Sequence, residues 1–349
     1  MDLESSIPVP SVKELSKQHL QTLPPRYVRD DILLENPSVA PLHLRVPVID
    51  FSNLVNAEFH QSELTKLHLA CKHWGIFQLI NHGVAEESLE RMKKSAREFF
   101  DLPLEEKKRW DQKPGSLEGY GQAFVLSEDQ KLEWADMIFL KALPANDRKS
   151  ALWPDNPIDF REELEVYAEN VNKVAVSIME YMAMGLGLSK AREFTKAFVD
   201  GHYYMRMSCY PPCPEPEKAI GIAKHCDISA ITFLLECGDV PGLQVFKDGQ
   251  WVFIQPIQNS LVINVGQIVE IMSNGTYKAA EHRAVVNKSQ ERISIVTFCY
   301  PNSNADIGPV DELTESENPA LFKSVKFDEY LDTFYRRKTE TPFLDCFKL

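Results

Sequence analysis

No apolar run in this chain approaches the roughly 18 residues that a bilayer-spanning helix needs. The opening Met1-Asp2-Leu3-Glu4-Ser5 lacks the basic-then-apolar order of a secretory signal and the arginine-rich bias of a transit peptide, so a soluble cytoplasmic protein is expected. No Cys-x-x-Cys pair occurs. The seven cysteines (Cys71, Cys209, Cys213, Cys226, Cys237, Cys299 and Cys346) are odd in number and irregular in spacing, which argues against a disulfide framework or zinc ribbon and for a reducing compartment. Positive charge is also short: 38 Lys and Arg face 51 Asp and Glu, leaving a net charge of −13. Such a chain is repelled by phosphate backbones and anionic lipid, so neither nucleic acid nor membrane is expected as a partner. Internal repeats and low-complexity tracts are absent as well.

What remains is an ordinary globular balance, 44% apolar and 26% charged, over 349 residues. That length holds one large domain or two small ones and a sizeable core. Up to about residue 45, scattered prolines (Pro8, Pro10, Pro24, Pro25, Pro37, Pro41) surround one short helical pattern from Val12 to Leu20, which reads as an extended arm packed on the body. Val46 to Phe51 reads as a first buried strand. Leu64, Leu67, Cys71 and Trp74 recur at helical spacing, as do Leu89, Met92, Ala96 and Phe99. Between them, Gly75 to Gly83 reads as a strand ending in a glycine turn. Residues 108–157 show no sustained helical period, although Glu118 to Phe124 alternates enough for an irregular hairpin. A long amphipathic helix follows, with Leu164, Ala168, Val171, Ala175, Ile178 and Met182 on one stripe. From His202 to about Pro301 the texture turns to short β-rich runs broken at Pro211-Pro212, Pro241-Gly242, Asp248-Gly249 and Asn274-Gly275. Many short strands at this spacing suggest a sandwich or jelly roll. A further helix is expected near Phe327 to Arg337.

The residues that carry chemistry are His225 and Asp227, then His282, then Arg292 and Ser294. Side chains two apart on a strand point the same way, so His225 and Asp227 can bind one ion together. With His282 they can hold Fe(II) on three adjacent corners of an octahedron, leaving three for a chelating co-substrate and O2. A His-x-Asp pair alone is common, and His282 alone reads first as a hydrogen-bonded, partly buried histidine. Arg292 and Ser294 raise the set above chance, because on a strand they also face one side. The arginine fork binds a carboxylate bidentately and the serine adds a donor. A dicarboxylate chelating iron through a 2-keto-acid end could reach this pair with its other end.

Further motifs run the length of the chain: Ile49-Asp50, Trp74-Gly75-Ile76-Phe77-Gln78-Leu79-Ile80-Asn81-His82-Gly83-Val84, Tyr210-Pro211-Pro212-Cys213-Pro214, Pro241-Gly242-Leu243-Gln244-Val245, Asn264-Val265-Gly266 and Ser273-Asn274-Gly275. On these motifs the chain resembles plant 2-oxoglutarate/Fe(II)-dependent dioxygenases of the specialised-metabolism branch. The resemblance implies a mainly β fold with flanking α: a double-stranded β-helix (jelly roll) core surrounded by helices, the long amphipathic one packed on it. It implies an N-terminal α/β region over residues 1–200, the core over 201–305, and a C-terminal extension over 306–349 whose helix closes over the active site. It implies iron held by His225, Asp227 and His282, and the distal carboxylate of 2-oxoglutarate clamped by Arg292, Ser294 and Tyr210. O2 is then the second co-substrate and ascorbate the reductant. A monomer is expected.

Three positions depart from the family pattern. Ser208-Cys209-Tyr210-Pro211 stands where Asn-Tyr-Tyr-Pro is usual; the asparagine often helps hold the co-substrate, and Ser208 keeps a hydrogen-bonding group there. Cys226 lies between the ligands where serine or threonine is usual, is expected to point away from iron, and is read as oxidation-prone. Gln267 replaces a common aspartate, with no functional reading. By the same resemblance, Met137, Phe139, Phe298 and Tyr300 face substrate, with Arg206 on the strand leading to Tyr210; each also reads as ordinary core packing. His73, His82 and His202 are taken as structural.

The runs Glu118 to Gln122 and Leu132 to Met137 are similar to those of alkaloid O-demethylases, norcoclaurine-synthase-like proteins, senescence-related oxygenases and flavonoid-modifying members. The expected reaction is hydroxylation or O-demethylation of an aromatic plant specialised metabolite of alkaloid or flavonoid class, producing succinate and CO2. Three rivals stay open: a 2-oxoglutarate-independent iron oxidase of the same fold, a hormone-oxidising dioxygenase, and a non-catalytic ligand-binding relative. The gibberellin-type signature Leu-Pro-Trp-Lys-Glu-Thr is absent.

Overall fold

A computed structural model of the chain describes residues 7, 9–30, 44–113, 116–122, 125, 127–315, 317–336 and 342–349. The described chain begins with a short helix, α1 (Val12–Ser16), and reaches strand β1 (Val48–Asp50), helices α2 (Phe51–Val55) and α3 (His60–His73), and strand β2 (Ile76–Ile80). Helices α4 (Glu86–Asp101) and α5 (Leu104–Lys107) precede strands β3 (Gly119–Gly121) and β4 (Asp136–Leu143). Helix α6 (Phe160–Gly185) is 26 residues long, about 39 Å at 1.5 Å per residue, and α7 (Ala191–Val199) follows it. Then come β5 (His202–Tyr210), β6 (Ile222–His225), β7 (Ile231–Glu236), β8 (Leu243–Lys247), β9 (Gln250–Phe253) and β10 (Leu261–Val265). Helix α8 (Gln267–Met272), β11 (His282–Ala284), β12 (Arg292–Tyr300), β13 (Asp306–Ile307), β14 (Val325–Lys326) and α9 (Phe327–Arg336) complete the order.

Two sheets form the jelly roll. The larger runs β1-β2-β10-β7-β12-β5-β4-β3, and the smaller runs β6-β11-β8-β9. Alternation along β7 and β12 sorts the side chains into two layers. Phe233, Leu235, Ile293, Ile295 and Cys299 turn outward into a core shared with the buried stripe of α6 and with α4. Leu234 and Val296 turn inward to meet Leu243, Val245 and Val252 of the smaller sheet. Both faces of β12 are covered, so its polar residues Arg292, Ser294 and Thr297 are buried along with its apolar ones. The long helix appears where the sequence stripe places it. Among the described residues, no helix is long and apolar enough to cross a membrane. All seven cysteines are free, and five are buried.

Some elements differ from expectation. The first strand is shorter and wetter than a buried one, because β1 lies on the sheet edge and leaves Val48 41% exposed. Strand β4, inside the stretch that shows no helical period, runs between β5 and β3 in the larger sheet. The expected hairpin survives as Gly119–Gly121 against this strand; Ala123 and Phe124 lie outside the described residues. The arm helix stops at Ser16 and turns through His19 at φ 50°, short of Leu20. Pro8, Pro37, Pro41 and Arg337 lie outside the described residues.

The motif glycines and polar residues have local tasks. Asp50 caps α2 by accepting from Ser52 N at 2.9 Å and also accepts from Asn81 Nδ2 at 2.9 Å, joining the Ile49-Asp50 and Asn81-His82-Gly83 motifs. His82 is buried, with Nε2 2.8 Å from Asn259 O and Nδ1 accepting from Val84 N, a structural histidine as expected.

Candidate active site

Strand β6 ends on His225, and β11 begins on His282 directly across the ladder. The two rings lie 4.3 Å apart between centroids. Asp227 was expected on the same strand as His225, but β6 stops first and Asp227 sits in the irregular segment beyond it. Two hydrogen bonds hold it there. Gln267 N donates to Asp227 O at 2.8 Å, and Asn264 Nδ2 donates to its Oδ2 at 3.0 Å. One donor atom from each of His225, Asp227 and His282 lies within 4.8 Å of the others.

These residues fit a divalent metal. Asp227 Oδ1 is 3.5 Å from His225 Nε2 and 3.7 Å from His282 Nε2. Metal–ligand bonds of about 2.1 Å put neighbouring octahedral corners about 3 Å apart, so a small contraction closes the set. Both imidazoles are oriented for it. His225 Nδ1 meets Ala223 O at 2.8 Å, and His282 Nδ1 meets Ala280 O at 2.9 Å. A carbonyl beside Nδ1 fixes the proton there and leaves the Nε2 lone pair facing the shared point. Burial works against the charge on Asp227, but His282 and then His225 beside it hold its carboxyl well below the usual carboxylate range. Burial pushes the imidazole of His282 down despite Asp227, whereas at His225 the neighbouring Asp227 outweighs burial and raises it.

Set back from these donors, Arg292 and Ser294 point inward from β12, opposite Tyr210 and Ser208 of β5. Arg292 is 4% exposed, and its guanidinium lies 5.0 Å from the centre of the Tyr210 ring. Arg292 Nε and Nη1, Ser294 Oγ and Asn264 Oδ1 are buried without a hydrogen-bond partner among the described residues. Buried polar groups are normally paired, so this row of orphans marks where a polar ligand belongs. Two glycines clear the space. A Cβ on Gly242 would stand 2.6 Å from Arg292 Cδ, and one on Gly221 would stand 2.6 Å from the Tyr210 ring. Ser208 Oγ accepts from Arg206 Nε at 3.1 Å, leaving its hydroxyl proton free to donate. The same narrow cleft touches His225, Asp227 and His282 at one end and Arg292 with Ser294 at the other.

A second cavity of 420 Å³ opens beside His225 and Asp227. Met137, Phe139, Phe298, Tyr300 and Arg206 all line it. Phe139 stacks on Tyr204 at 5.5 Å and tilts against Phe298 at 6.4 Å, so one wall is a packed aromatic layer. Phe334 and Tyr335 of α9 and Phe343 beyond it supply another wall. Tyr330 pins that helix by donating from its hydroxyl to Ile228 O at 2.9 Å, one residue past Asp227.

Cys226 is not among the converging donors; its Sγ lies 3.7 Å from Ala279 O, and burial pushes its thiol up to about 12. Sequence reasoning missed Gln267 as a cavity residue, although its Oε1 is buried at the cavity without a partner among the described residues. It missed Glu236, whose carboxylate takes Arg292 Nη2 at 2.6 Å. Glu236 is four residues past Thr232 and two past Leu234, which puts it on the inward face of β7 once the strand is in place. The tail residues carried no motif that could have flagged them.

Two imidazoles and a carboxylate meeting at a jelly-roll mouth, with a buried arginine set back from them, define the class of non-haem iron oxygenases. Residues 46–156 match the family described as non-haem dioxygenase in morphine synthesis N-terminal, and residues 201–301 match the 2OG-Fe(II) oxygenase superfamily. The chain is 43% identical to Protein SRG1 of Arabidopsis thaliana, over 99% of this chain and 98% of that one. It is 41% identical to the oxoglutarate-dependent flavonoid 7-O-demethylase 1 of Ocimum basilicum, covering 99% and 92%. It is 40% identical to the codeine O-demethylase of Papaver somniferum, covering 99% and 98%. The crystal structure of JOX2 in complex with 2OG, Fe and JA superposes with a TM-score of 0.86 at 33% identity, covering 99% of each chain. The chain belongs to the plant 2-oxoglutarate/Fe(II)-dependent dioxygenases. It is an oxidoreductase that uses Fe(II), 2-oxoglutarate and O2, with ascorbate the usual reductant of the family.

Proposed function

We propose that this dioxygenase hydroxylates or O-demethylates a flat aromatic plant metabolite of alkaloid or flavonoid class. In this reading His225, Asp227 and His282 hold Fe(II). Arg292, Ser294 and Tyr210, with Ser208 behind them, hold the distal carboxylate of 2-oxoglutarate. Met137, Phe139, Phe298, Tyr300 and Arg206 bound the substrate. The ferrous ion and 2-oxoglutarate supply the oxidation: the keto acid loses CO2 to become succinate, and one atom of O2 ends on the substrate carbon. An O-methyl carbon so hydroxylated is a hemiacetal, which breaks to formaldehyde and the free hydroxyl compound.

The observation that carries this reading is the 420 Å³ cavity that shares His225 and Asp227 with the donor set and has Met137 and six aromatic rings in its wall, with Arg206, Lys224 and Gln267 as polar lining. Its volume lies within the range of about 300–1,000 Å³ typical of small-molecule sites. A flat ring stacks between such walls. Relatives at 40–41% identity named for flavonoid and codeine O-demethylation support the same class. The N-terminal region, residues 1–200, packs on the core of residues 201–305, and the helix of the C-terminal extension, residues 306–349, closes over the active site, a role supported by Phe334, Tyr335 and Phe343 on the cavity wall. The enzyme acts as a cytoplasmic monomer, without nucleic acid or membrane partners.

The test is a screen of methoxylated alkaloids and flavonoids against the purified enzyme with Fe(II), ascorbate and 2-oxoglutarate, reading succinate, formaldehyde and product mass together. Product formed without succinate would point to a 2-oxoglutarate-independent oxidase. Ligand binding that survives His225→Ala in a protein without turnover would point to a carrier.

A further inference from the structure

Glu236 ends β7, the strand whose Thr232 and Leu234 line the cleft beside Arg292. In the ladder it lies opposite Ser294, which lies opposite Ser208 on the next strand. Directly opposed residues project to one face, so Glu236 shares the inward face with Ser294 and with Arg292 two residues away. Only 11% of the Glu236 side chain is exposed, and its Oε1 accepts from Arg292 Nη2 at 2.6 Å. Its Oε2 is buried without a partner among the described residues, as are Arg292 Nε and Nη1. The arginine placed to receive a ligand carboxylate therefore already carries one.

We infer that Glu236 is a specificity-determining residue for the co-substrate, resting on the assignment of Arg292 as its anchor. By part-neutralising Arg292, it weakens the hold on the distal carboxylate and narrows the margin by which the cleft prefers a 2-oxo diacid over a 2-oxo acid with an uncharged tail. A diacid entering the cleft takes the remaining Arg292 donors and Ser294 Oγ, so two carboxylates share one guanidinium. Like charges across a single guanidinium repel far more in a water-poor cleft than in bulk solvent. An uncharged tail meets no such opposition and leaves the Glu236–Arg292 pair intact. Burial raises the Glu236 carboxyl above its ordinary value against the pull of Arg292, as expected of a carboxylate with one partner and one bare oxygen. Glutamine at this position keeps the shape and an oxygen acceptor for Nη2 and removes only the charge.

The experiment is calorimetry without oxygen on the full chain loaded with Mn(II), titrating 2-oxoglutarate and 2-oxopentanoate, which carries a methyl group in place of the distal carboxylate. Glu236→Gln is expected to lower the Kd for 2-oxoglutarate about tenfold, equivalent to about 1.4 kcal/mol, and to change that for 2-oxopentanoate by less than about twofold. Glu236→Met, which also removes the charge, is expected to move the two ligands in the same directions. Unchanged or weaker 2-oxoglutarate binding in these variants overturns the inference, as does equal tightening of both ligands. The double variant Arg292→Gln, Glu236→Gln separates the two readings. Loss of the preference for 2-oxoglutarate in it upholds the anchor whatever Glu236 does, and retention of that preference removes the anchor and this inference together.

Discussion

Asp136 holds the first turn of α1 from 124 residues away: its Oδ1 accepts the backbone N–H of Val12 at 2.7 Å. Its Oδ2 accepts from Lys13 N at 3.2 Å and from Ser11 Oγ at 2.5 Å. A helix start leaves its first N–H groups without partners, and here a strand of the larger sheet supplies them. The arm is thereby fixed to the start of β4, whose next residue, Met137, lines the 420 Å³ cavity.

Asp136→Ala should therefore lower stability by about 2–4 kcal/mol, the cost of several charge-assisted hydrogen bonds left open in a buried place. Asp136→Asn, which keeps one oxygen acceptor, should lose less. Denaturant midpoints of the two variants check this, and equal stability of Asp136→Ala and the parent would refute the capping role.

Asn264 orients the ligand carboxylate from behind, through the 3.0 Å bond from its Nδ2 to Asp227 Oδ2. Groups that orient a ligand in this way typically contribute 10–100-fold in metal affinity. Asn264→Leu is expected to weaken Mn(II) binding by about that factor while the far-ultraviolet circular dichroism stays that of the parent. Metal affinity equal to the parent's would show that the segment around Asp227 suffices by itself.

Gly242 lies under the stem of Arg292, where a methyl group would stand 2.6 Å from Cδ and 2.9 Å from Nε. Gly242→Ala must push the arginine away from Ser294. The expected result is a KM for 2-oxoglutarate raised about tenfold or more with metal affinity unchanged, since displacement of an anchor by about 1 Å is costly. A KM that does not move would mean that the anchor tolerates the shift.

Gln267 presents an unpartnered, buried Oε1 at the large cavity. An acceptor left bare in this way fits a hydroxyl or protonated amine on the substrate. Gln267→Leu is expected to raise the substrate KM about tenfold and to leave substrate-free decarboxylation of 2-oxoglutarate as it was. An equal fall in both rates would place the residue in the support of Asp227, whose carbonyl accepts from Gln267 N at 2.8 Å.

The donor set and the anchor pair were legible in the sequence because they use strand spacing and residue types that few other arrangements need. Arg292 and Ser294 do share a face, as alternation requires. The same rule pairs His225 with Asp227, but Asp227 lies past the end of the strand, and the irregular segment there brings the two side chains together. Strand β4 was not read as a strand because it opens on a buried acid, Asp136, whose partners lie on the distant arm. Nothing near Asp136 in the chain announces that pairing. Glu236 passed unnoticed for a related reason: a lone glutamate at a strand end reads as solvated, and only the ladder brings it to Arg292.

The large cavity is bounded by rings from separate stretches of chain: Phe139 on β4, Phe298 on β12, and Phe334, Tyr335 and Phe343 near the C-terminus. His225, Asp227 and His282 belong to none of them. An exchange of one bulky ring for another near the end of the polypeptide can reshape what the chamber admits while the oxidising apparatus keeps its alignment. Descendants of one ancestor can in this way diverge toward different metabolites without relearning how to activate oxygen.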